Sequence, residues 1–278
     1  NTLIFQITKA TNTWTETPAI SGWTYGETAK TPTVQAKFGE VAVRYEGENY
    51  SDTKAPTAAG NYKAVFTVEE TINYTGLTTE VAFTIAEAAS TVTKAPAARI
   101  LTYNDAEQAL VNAGTAQGGN MVYSLSENGT YGENIPTGKD AGDYTVWYYV
   151  DGDDNHTNSQ KKSVTVTISR APATFSVKDS AVEKGQEVKL DIVSDPADIS
   201  YQVTYRRNGY QVVPQDVGEY DIFLEITNKN YRHAKSTDGS PMKLGVLRIY
   251  EKEKPAFYTL GFDANGGTGT MDALEALA

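Results

Sequence analysis

The chain repeats one short phrase three times: a turn, then a glycine, one variable residue and a tyrosine that opens an alternating stretch. The glycines and tyrosines are Gly60 and Tyr62, Gly142 and Tyr144, and Gly218 and Tyr220. A second phrase, isoleucine followed three residues later by alanine, starts at Ile7, Ile85 and Ile168, with spacings of 78 and 83 residues. A period near 80 is too long for a solenoid repeat and suits a small self-contained domain. The sequence therefore predicts a tandem array of domains.

The residues after each tyrosine alternate in polarity. In the first copy Tyr62, Ala64, Phe66 and Val68 share one face, as expected for an antiparallel strand that packs inward. Short strands separated by Asn- and Gly-bearing turns are typical of a β-sandwich, and no segment shows a sustained helical period. We predict an all-β fold of tandem immunoglobulin-like β-sandwich domains arranged as an elongated array.

The glycine–tyrosine phrase resembles the tyrosine corner of immunoglobulin-like domains, in which the hydroxyl bonds to backbone a few residues upstream. The glycine, like the tyrosine, is present in all three copies, whereas the residue between them varies. A positive φ, or a close approach by neighbouring backbone, would exclude a β-carbon there. We therefore predict a structural role for the six glycines and tyrosines of the three corners.

Composition narrows the possible partners. The 278 residues carry a net charge of −11 and include no cysteine, so disulfides and thiolate metal sites are excluded. An acidic surface repels nucleic acid and anionic membranes and attracts divalent cations. No apolar run approaches the length of a membrane-spanning helix. We expect neither a nucleic-acid partner nor membrane insertion in this segment.

A more specific resemblance lies in the second copy. Residues 101–104 (Leu-Thr-Tyr-Asn), 135–146 and 152–156 resemble the MBG-type repeats of large bacterial surface proteins. The first copy is similar through residues 23–26 (Trp-Thr-Tyr-Gly), whereas the third departs over 184–190. The resemblance implies a secreted or wall-anchored protein and a family not known for catalysis.

The end of the chain resembles another module. Residues 258–271 are similar to the opening of a Listeria–Bacteroides repeat, which is related to the internalin B-repeat. We predict three immunoglobulin-like repeats and a truncated fourth module, with residues 1–10 as the last strand of a preceding repeat in the alternative reading. The predicted boundaries are 1–87, 88–170, 171–254 and 255–278.

Candidate catalytic and metal-binding residues are few. The two histidines, His156 and His233, both fall in turns, where a structural role is favoured over catalysis, and we predict that the chain is not an enzyme. Asp151, Asp153 and Asn155 resemble the first three ligands of a calcium loop, but no glutamate completes it. Asp and Asn also favour turns. We predict no cofactor, with calcium as the alternative.

Two aromatic residues are candidates for binding a sugar or a protein. Trp147 and Tyr149 point away from the inward face of their strand. The residues aligned with Trp147 in the other copies are Val65 and Phe223, so this position favours packing. Tyr149 has polar counterparts and is the better candidate for a role particular to the second repeat.

These features together favour a structural or adhesive stalk segment of a bacterial cell-surface or secreted protein, extracellular and attached to the surface or cell wall. Residues 93–96 and 169–172 read as short, glycine-free linkers that hold neighbouring domains at a fairly fixed angle. Two alternatives stay open. One is a module that binds glycans or a host protein, and the other is an accessory region of an extracellular polysaccharide-degrading enzyme.

Overall fold

The computed structural model describes residues 5–178, 180–236 and 240–253, and the backbone of 257–260 and 274–277. The chain separates into two compact units, Asn1–Leu101 with Ala106–Ile168, and Thr102–Asp105 with Ser169–Ala278. The described residues form strands and turns, and no helix among them is long and apolar enough to cross a membrane. The predicted all-β fold of tandem immunoglobulin-like sandwiches is confirmed, while the four predicted boundaries stay a prediction.

The first repeat, predicted as residues 1–87, is built on a five-stranded sheet. Its strands are β1 (Trp14–Ala19), β2 (Trp23–Thr24), β3 (Thr33–Ala36), β4 (Ala42–Gly47), β5 (Tyr50–Asp52), β6 (Gly60–Val68) and β7 (Leu77–Ala86). The main sheet has the order β2-β7-β6-β4-β5, and β1 pairs with β3 in the second layer. The apolar face of β6 packs on Trp23, Tyr45 and Phe83 in the core.

The second repeat, predicted as residues 88–170, pairs its other strands in several two-stranded sheets beside one main sheet. Its strands are β8 (Ala88–Ala89), β9 (Thr91–Lys94), β10 (Ala97–Ala98), β11 (Leu101–Thr102), β12 (Gln108–Ala109), β13 (Val111–Asn112), β14 (Thr115–Gln117), β15 (Gly119–Ser124), β16 (Thr137–Gly138), β17 (Gly142–Gly152), β18 (His156–Thr157) and β19 (Lys162–Ser169). The main sheet has the order β11-β19-β17-β15. Residues 93 and 94, interpreted as linker, instead belong to β9, which pairs with β14.

The third repeat, predicted as residues 171–254, again combines a five-stranded sheet with a smaller one. Its strands are β20 (Ala171–Lys178), β21 (Ala181–Glu183), β22 (Asp191–Asp195), β23 (Tyr201–Arg207), β24 (Tyr210–Val212), β25 (Gly218–Ile226), β26 (Tyr231–His233) and β27 (Met242–Tyr250). The sheet orders are β21-β27-β25-β23-β24 and β22-β20-β26. Tyr220, Ile222, Leu247 and Ile249 form its core.

One register is common to all three main sheets. The corner glycine at the start of the central strand pairs with the second-to-last residue of the last strand, which is an isoleucine. The three pairs are Gly60 and Ile85, Gly142 and Ile168, and Gly218 and Ile249. These isoleucines are buried, whereas Ile7, in the first copy of the same phrase, is 96% exposed. The reading of residues 1–10 as a strand of a preceding repeat stays a prediction.

The tail lies mostly outside the described residues. Strands β28 (Phe257–Leu260) and β29 (Leu274–Leu277) pair antiparallel, and 254–256, 261–273 and 278 are outside the description. The predicted Listeria–Bacteroides resemblance therefore falls largely on residues about which the structure says nothing.

Candidate functional site: the joint between the first two repeats

Within the first compact unit, the first repeat passes into the second with one intervening residue. Strand β7 ends at Ala86 and β8 begins at Ala88, so only Glu87 separates them. The backbone N–H of Ala88 donates to the carbonyl oxygen of Asn155 at 2.9 Å, which binds the entering strand to a loop of the second repeat. A joint of this length has almost no freedom to act as a flexible tether.

The side chain of Asn155 reaches back to the first repeat. Its Oδ1 accepts a hydrogen bond from the backbone N–H of Ala59, in the turn before the first corner, at 2.9 Å. One residue therefore binds the entering strand through its carbonyl group and the neighbouring repeat through its amide. We use the term joint for Asn155, its partners Ala59 and Ala88, and the aromatic pair of Tyr25 and His156.

An aromatic contact accompanies these hydrogen bonds. The ring of Tyr25 meets that of His156 edge-on, with centroids 5.1 Å apart. Tyr25 is positioned by its own backbone N–H, which donates to the carbonyl of Ala86 at 2.8 Å. The His156 ring is oriented by Nδ1, which lies 2.6 Å from Asp153 Oδ1 and donates to that carboxylate. Such aromatic pairs favour edge-to-face geometry.

Asp153 supports this loop electrostatically. The hydrogen bond from His156, followed by that from the backbone N–H of Asn155 at 2.9 Å, holds the pKa of the Asp153 carboxyl below its ordinary value. Hydrogen bonds to the charged form of a carboxyl favour ionisation. The charged Asp153 thereby orients both residues that contact the first repeat or the entering strand.

The calcium hypothesis involves the same loop. Asp153 Oδ1 accepts two local hydrogen bonds and Asn155 Oδ1 accepts from Ala59, while Asp151 is exposed in β17. Among the described residues no group of three or more acidic or histidine side chains is placed to hold a metal ion. The structure thus assigns Asp153 and Asn155 to loop and joint contacts, and calcium binding stays a prediction.

The same arrangement recurs elsewhere in the chain. Each entering alanine donates its backbone N–H to the carbonyl of an asparagine 59 to 67 residues later, in the pairs Ala10 and Asn73 (2.8 Å), Ala88 and Asn155 (2.9 Å), and Ala171 and Asn230 (2.9 Å). Within the second unit, Tyr103 meets Tyr231 edge-on at 5.3 Å, and its N–H donates to Ser169, as Tyr25 meets His156 and donates to Ala86. The aromatic residue that follows the asparagine therefore makes the same edge-on contact at two of these three places, whereas Tyr74, which follows Asn73, stacks on Phe38.

Sequence reasoning noticed the signals for this joint without assigning their role. These signals are the isoleucine–alanine phrase and the turn that carries His156. Which repeat the turn contacts could not be read from one sequence, because Asn155 and Ala59 are 96 residues apart.

The predicted corner residues occupy a common geometry. Each tyrosine hydroxyl donates to the carbonyl four residues upstream, from Tyr62 to Ala58 (3.1 Å), Tyr144 to Asp140 (2.9 Å) and Tyr220 to Asp216 (2.7 Å). Gly60, Gly142 and Gly218 have φ values of 153°, 146° and 145°, which residues with a β-carbon rarely adopt. A β-carbon at Gly142 would meet no atom within 4 Å, so conformation rather than crowding requires glycine there.

The predicted aromatic residues of β17 are half-buried on its outer face. Tyr149 meets Tyr131 edge-on at 4.9 Å, and the ammonium group of Lys161 lies 5.0 Å from the centre of the Tyr131 ring. Trp147 lies opposite Ser124 and Ser163 on the neighbouring strands. Tyr131 is thus an aromatic neighbour that the sequence alone did not suggest, and a binding role for Trp147 and Tyr149 stays a prediction.

The histidine of the third repeat is a core residue. His233 is 3% exposed, its Nε2 lies 3.1 Å from the carbonyl oxygen of Leu224, and its ring packs against Phe175. The ring is therefore held by a backbone carbonyl and by packing against Phe175, and neither contact is with a nucleophilic side chain.

Comparison with known families supports the MBG resemblance in part. Residues 21–89 and 173–239 match the MBG domain family. The matched segments leave out residues 90–172, the repeat that appeared most similar from sequence alone, and the Listeria–Bacteroides part of the resemblance is not confirmed. No curated protein sequence matches the chain.

Solved structures give weak similarities to arrays of immunoglobulin-like domains. The Sidekick-1 immunoglobulin domains 1–5 are 12% identical to this chain, with a TM-score of 0.35. The alignment covers 87% of this chain and 59% of the Sidekick-1 chain. The I9–I11 tandem from titin is 14% identical with a TM-score of 0.29, covering 87% of this chain and 100% of that one. SGBP-B of Bacteroides ovatus, solved with a mixed-linkage heptasaccharide, is 11% identical with a TM-score of 0.26, covering 94% and 76%. The fold assignment rests on the sheets described above.

Proposed function

We propose that this chain is a non-catalytic stalk segment of a bacterial cell-surface or secreted protein, in which tandem immunoglobulin-like domains hold a distal module away from the cell. The observation that carries the proposal is the joint, in which Asn155 binds both the entering strand and the first repeat. A chain whose function is to span a distance needs stiff connections more than it needs a reactive site.

The energy of the joint is sufficient for this role. One net hydrogen bond between the two repeats, from Ala59 to Asn155, and one aromatic pair together contribute about 2 kcal/mol, which is roughly a thirtyfold preference for the closed joint. A flexible Gly/Ser linker between the same two domains would give no such preference.

The family resemblance supports an extracellular location. MBG-type and immunoglobulin-like domains are generally non-catalytic and are typical of extracellular or surface proteins. The MBG match over 21–89 and 173–239 therefore favours a structural or adhesive segment over an enzyme.

Small-angle X-ray scattering of the whole chain tests the stalk. Three domains in line would extend on the order of 100 Å, with a radius of gyration of roughly 30 Å. A compact globule of the same length has a radius of gyration of about 19 Å. We expect the larger value, and a radius near the smaller one would refute the proposal.

The outer face of the second repeat favours one alternative, a glycan- or protein-binding module. Tyr149 and Tyr131 form an aromatic pair beside Lys161, and Trp147 lies on the same strand as Tyr149. Screening the whole chain on a glycan array, with Tyr149→Ala as the comparison, tests it. Binding that Tyr149→Ala removes supports this alternative, and binding unaffected by the change excludes this face.

A further inference from the structure

A cleft lies beside the joint, within the first compact unit. It is bounded by the turn between β4 and β5, by the first tyrosine corner, and by the loop that carries Asp154 and Asn155. Its volume is about 730 Å³, within the range of small-molecule sites. Both repeats contribute to its walls.

Two tyrosines form the aromatic wall of this cleft. The half-buried rings of Tyr50 and Tyr62 are 5.9 Å apart and nearly perpendicular. The hydroxyl of Tyr50 donates to the carbonyl of Lys54 at 2.6 Å, and that of Tyr62 donates to the carbonyl of Ala58. Because both hydroxyl groups are held by backbone, the rings are positioned before any ligand arrives, which lowers the entropic cost of binding.

Two asparagines supply hydrogen-bond donors. Asn61 Oδ1 accepts from the Thr84 hydroxyl at 2.8 Å, and Asn155 Oδ1 accepts from the Ala59 N–H at 2.9 Å. The amide oxygens are thereby engaged, and each amide keeps an NH₂ group for which the described residues offer no partner. An amide NH₂ carries two donors and no acceptor.

Two carboxylates supply acceptors. Glu48 and Asp154 line the cleft, both are exposed, and neither has an ion-pair partner among the described residues. The lining includes no lysine, arginine or histidine. The cleft therefore combines oriented amide donors, carboxylate acceptors and two aromatic rings with a local negative charge.

This combination selects among ligand classes. A sugar hydroxyl is both donor and acceptor, so vicinal hydroxyls match neighbouring amide and carboxylate groups, while the apolar face of a sugar ring matches a tyrosine. A lysine or arginine side chain carries donors only and would leave the amide N–H groups unmatched. A uronate or sialate would be repelled by Glu48 and Asp154 in a chain of net charge −11.

We propose that this cleft is a binding site for a neutral glycan segment of a few sugar residues. The site is distinct from the Trp147 and Tyr149 face and is independent of the stalk proposal. It places glycan recognition where the two repeats meet, so the joint that stiffens the chain also holds the two walls of the site together.

Calorimetric titration of the whole chain tests the site. The probes are cellohexaose and mannohexaose as neutral glycans, hexagalacturonate as an acidic one and tetralysine as a cationic peptide. We expect at least one neutral probe to bind with a Kd of about 1 mM or tighter, and neither charged probe to match it. Absence of binding by both neutral probes, or stronger binding of hexagalacturonate or tetralysine, would overturn the proposal.

Variants locate the binding. Asp154→Asn and Asn61→Ala are exposed changes, and each should weaken binding of the neutral probe about tenfold, the usual effect of losing a hydrogen bond to a charged or oriented group. The matched control is Asp151→Asn, which makes the same charge change three residues before Asp154, outside the cleft lining, and should bind like the parent. Tyr149→Ala should also bind like the parent. Binding that Tyr149→Ala abolishes and that the cleft variants leave unchanged would refute the proposal.

Discussion

The side chain of Asn155 accepts a hydrogen bond from the backbone N–H of Ala59, 96 residues earlier in the chain. The same residue accepts the N–H of Ala88 through its carbonyl oxygen. Asn155 therefore couples two repeats that the sequence separates, and its contacts can be tested one at a time.

Replacing Asn155 by alanine removes the side-chain contact and keeps the backbone one. The half-buried N–H of Ala59 is then unpaired, so we expect the free energy of unfolding to fall by about 1–2 kcal/mol. Urea denaturation of the whole chain measures this. Asn128→Ala, in an exposed turn of the second repeat, is the control and should change little; equal midpoints for the two variants would contradict the role of Asn155.

Replacing the corner tyrosines by phenylalanine should destabilise each repeat in a defined order. The Tyr220→Phe change should lower the free energy of unfolding most. The Tyr220 hydroxyl both donates to the Asp216 carbonyl and accepts from the Asp216 N–H, and the residue is 3% exposed. We expect about 1–2 kcal/mol for Tyr220→Phe and Tyr144→Phe, and less for the more exposed Tyr62→Phe. Thermal unfolding that shows no loss for Tyr220→Phe would refute the corner assignment.

At the second corner, the cost of backbone strain can be measured without a contribution from steric crowding. Gly142 has a φ of 146° and open space around a potential β-carbon, so Gly142→Ala should cost about 1–3 kcal/mol through conformation alone. Gly132→Ala is the matched control, because Gly132 also has open space but no such φ. Chemical denaturation compares the two; a neutral Gly142→Ala would mean that the corner tolerates a side chain.

Acid should weaken the loop that carries the joint. The folded-state pKa of Asp153 is depressed below its ordinary value, mainly by the hydrogen bond from His156, so its contribution to stability is present above the ordinary pKa and is lost as the pH falls through the lowered pKa. Asp153→Asn should therefore flatten the loss of stability below about pH 4. Urea midpoints measured from pH 5 downward test this. Asp154→Asn, one residue away, should keep the slope of the parent, and identical slopes for all three proteins would contradict the prediction.

Local patterns predicted much of each repeat. Alternation after each corner tyrosine predicted the central strands, and Val146, Tyr148 and Val150 are buried as the pattern of β17 requires. This prediction succeeds because the side chains of a strand point alternately to opposite faces. Alternating apolar and polar residues therefore show which side chains will be buried. The prediction of a linker at residues 93–96 was wrong in part, because residues 93 and 94 belong to a strand that pairs with residues 115–117.

The sequence alone determined the strands, the repeat period and the corners, because these depend on neighbours within a few residues and on the absence of a β-carbon at glycine. Tertiary structure decided which loops meet. Asn155 contacts Ala59, Tyr149 contacts Tyr131, and the cleft unites Tyr50 with Asp154 only once two sandwiches have packed. Contacts between residues tens of positions apart depend on how whole sheets fit against each other, and no periodicity along a single chain records that fit.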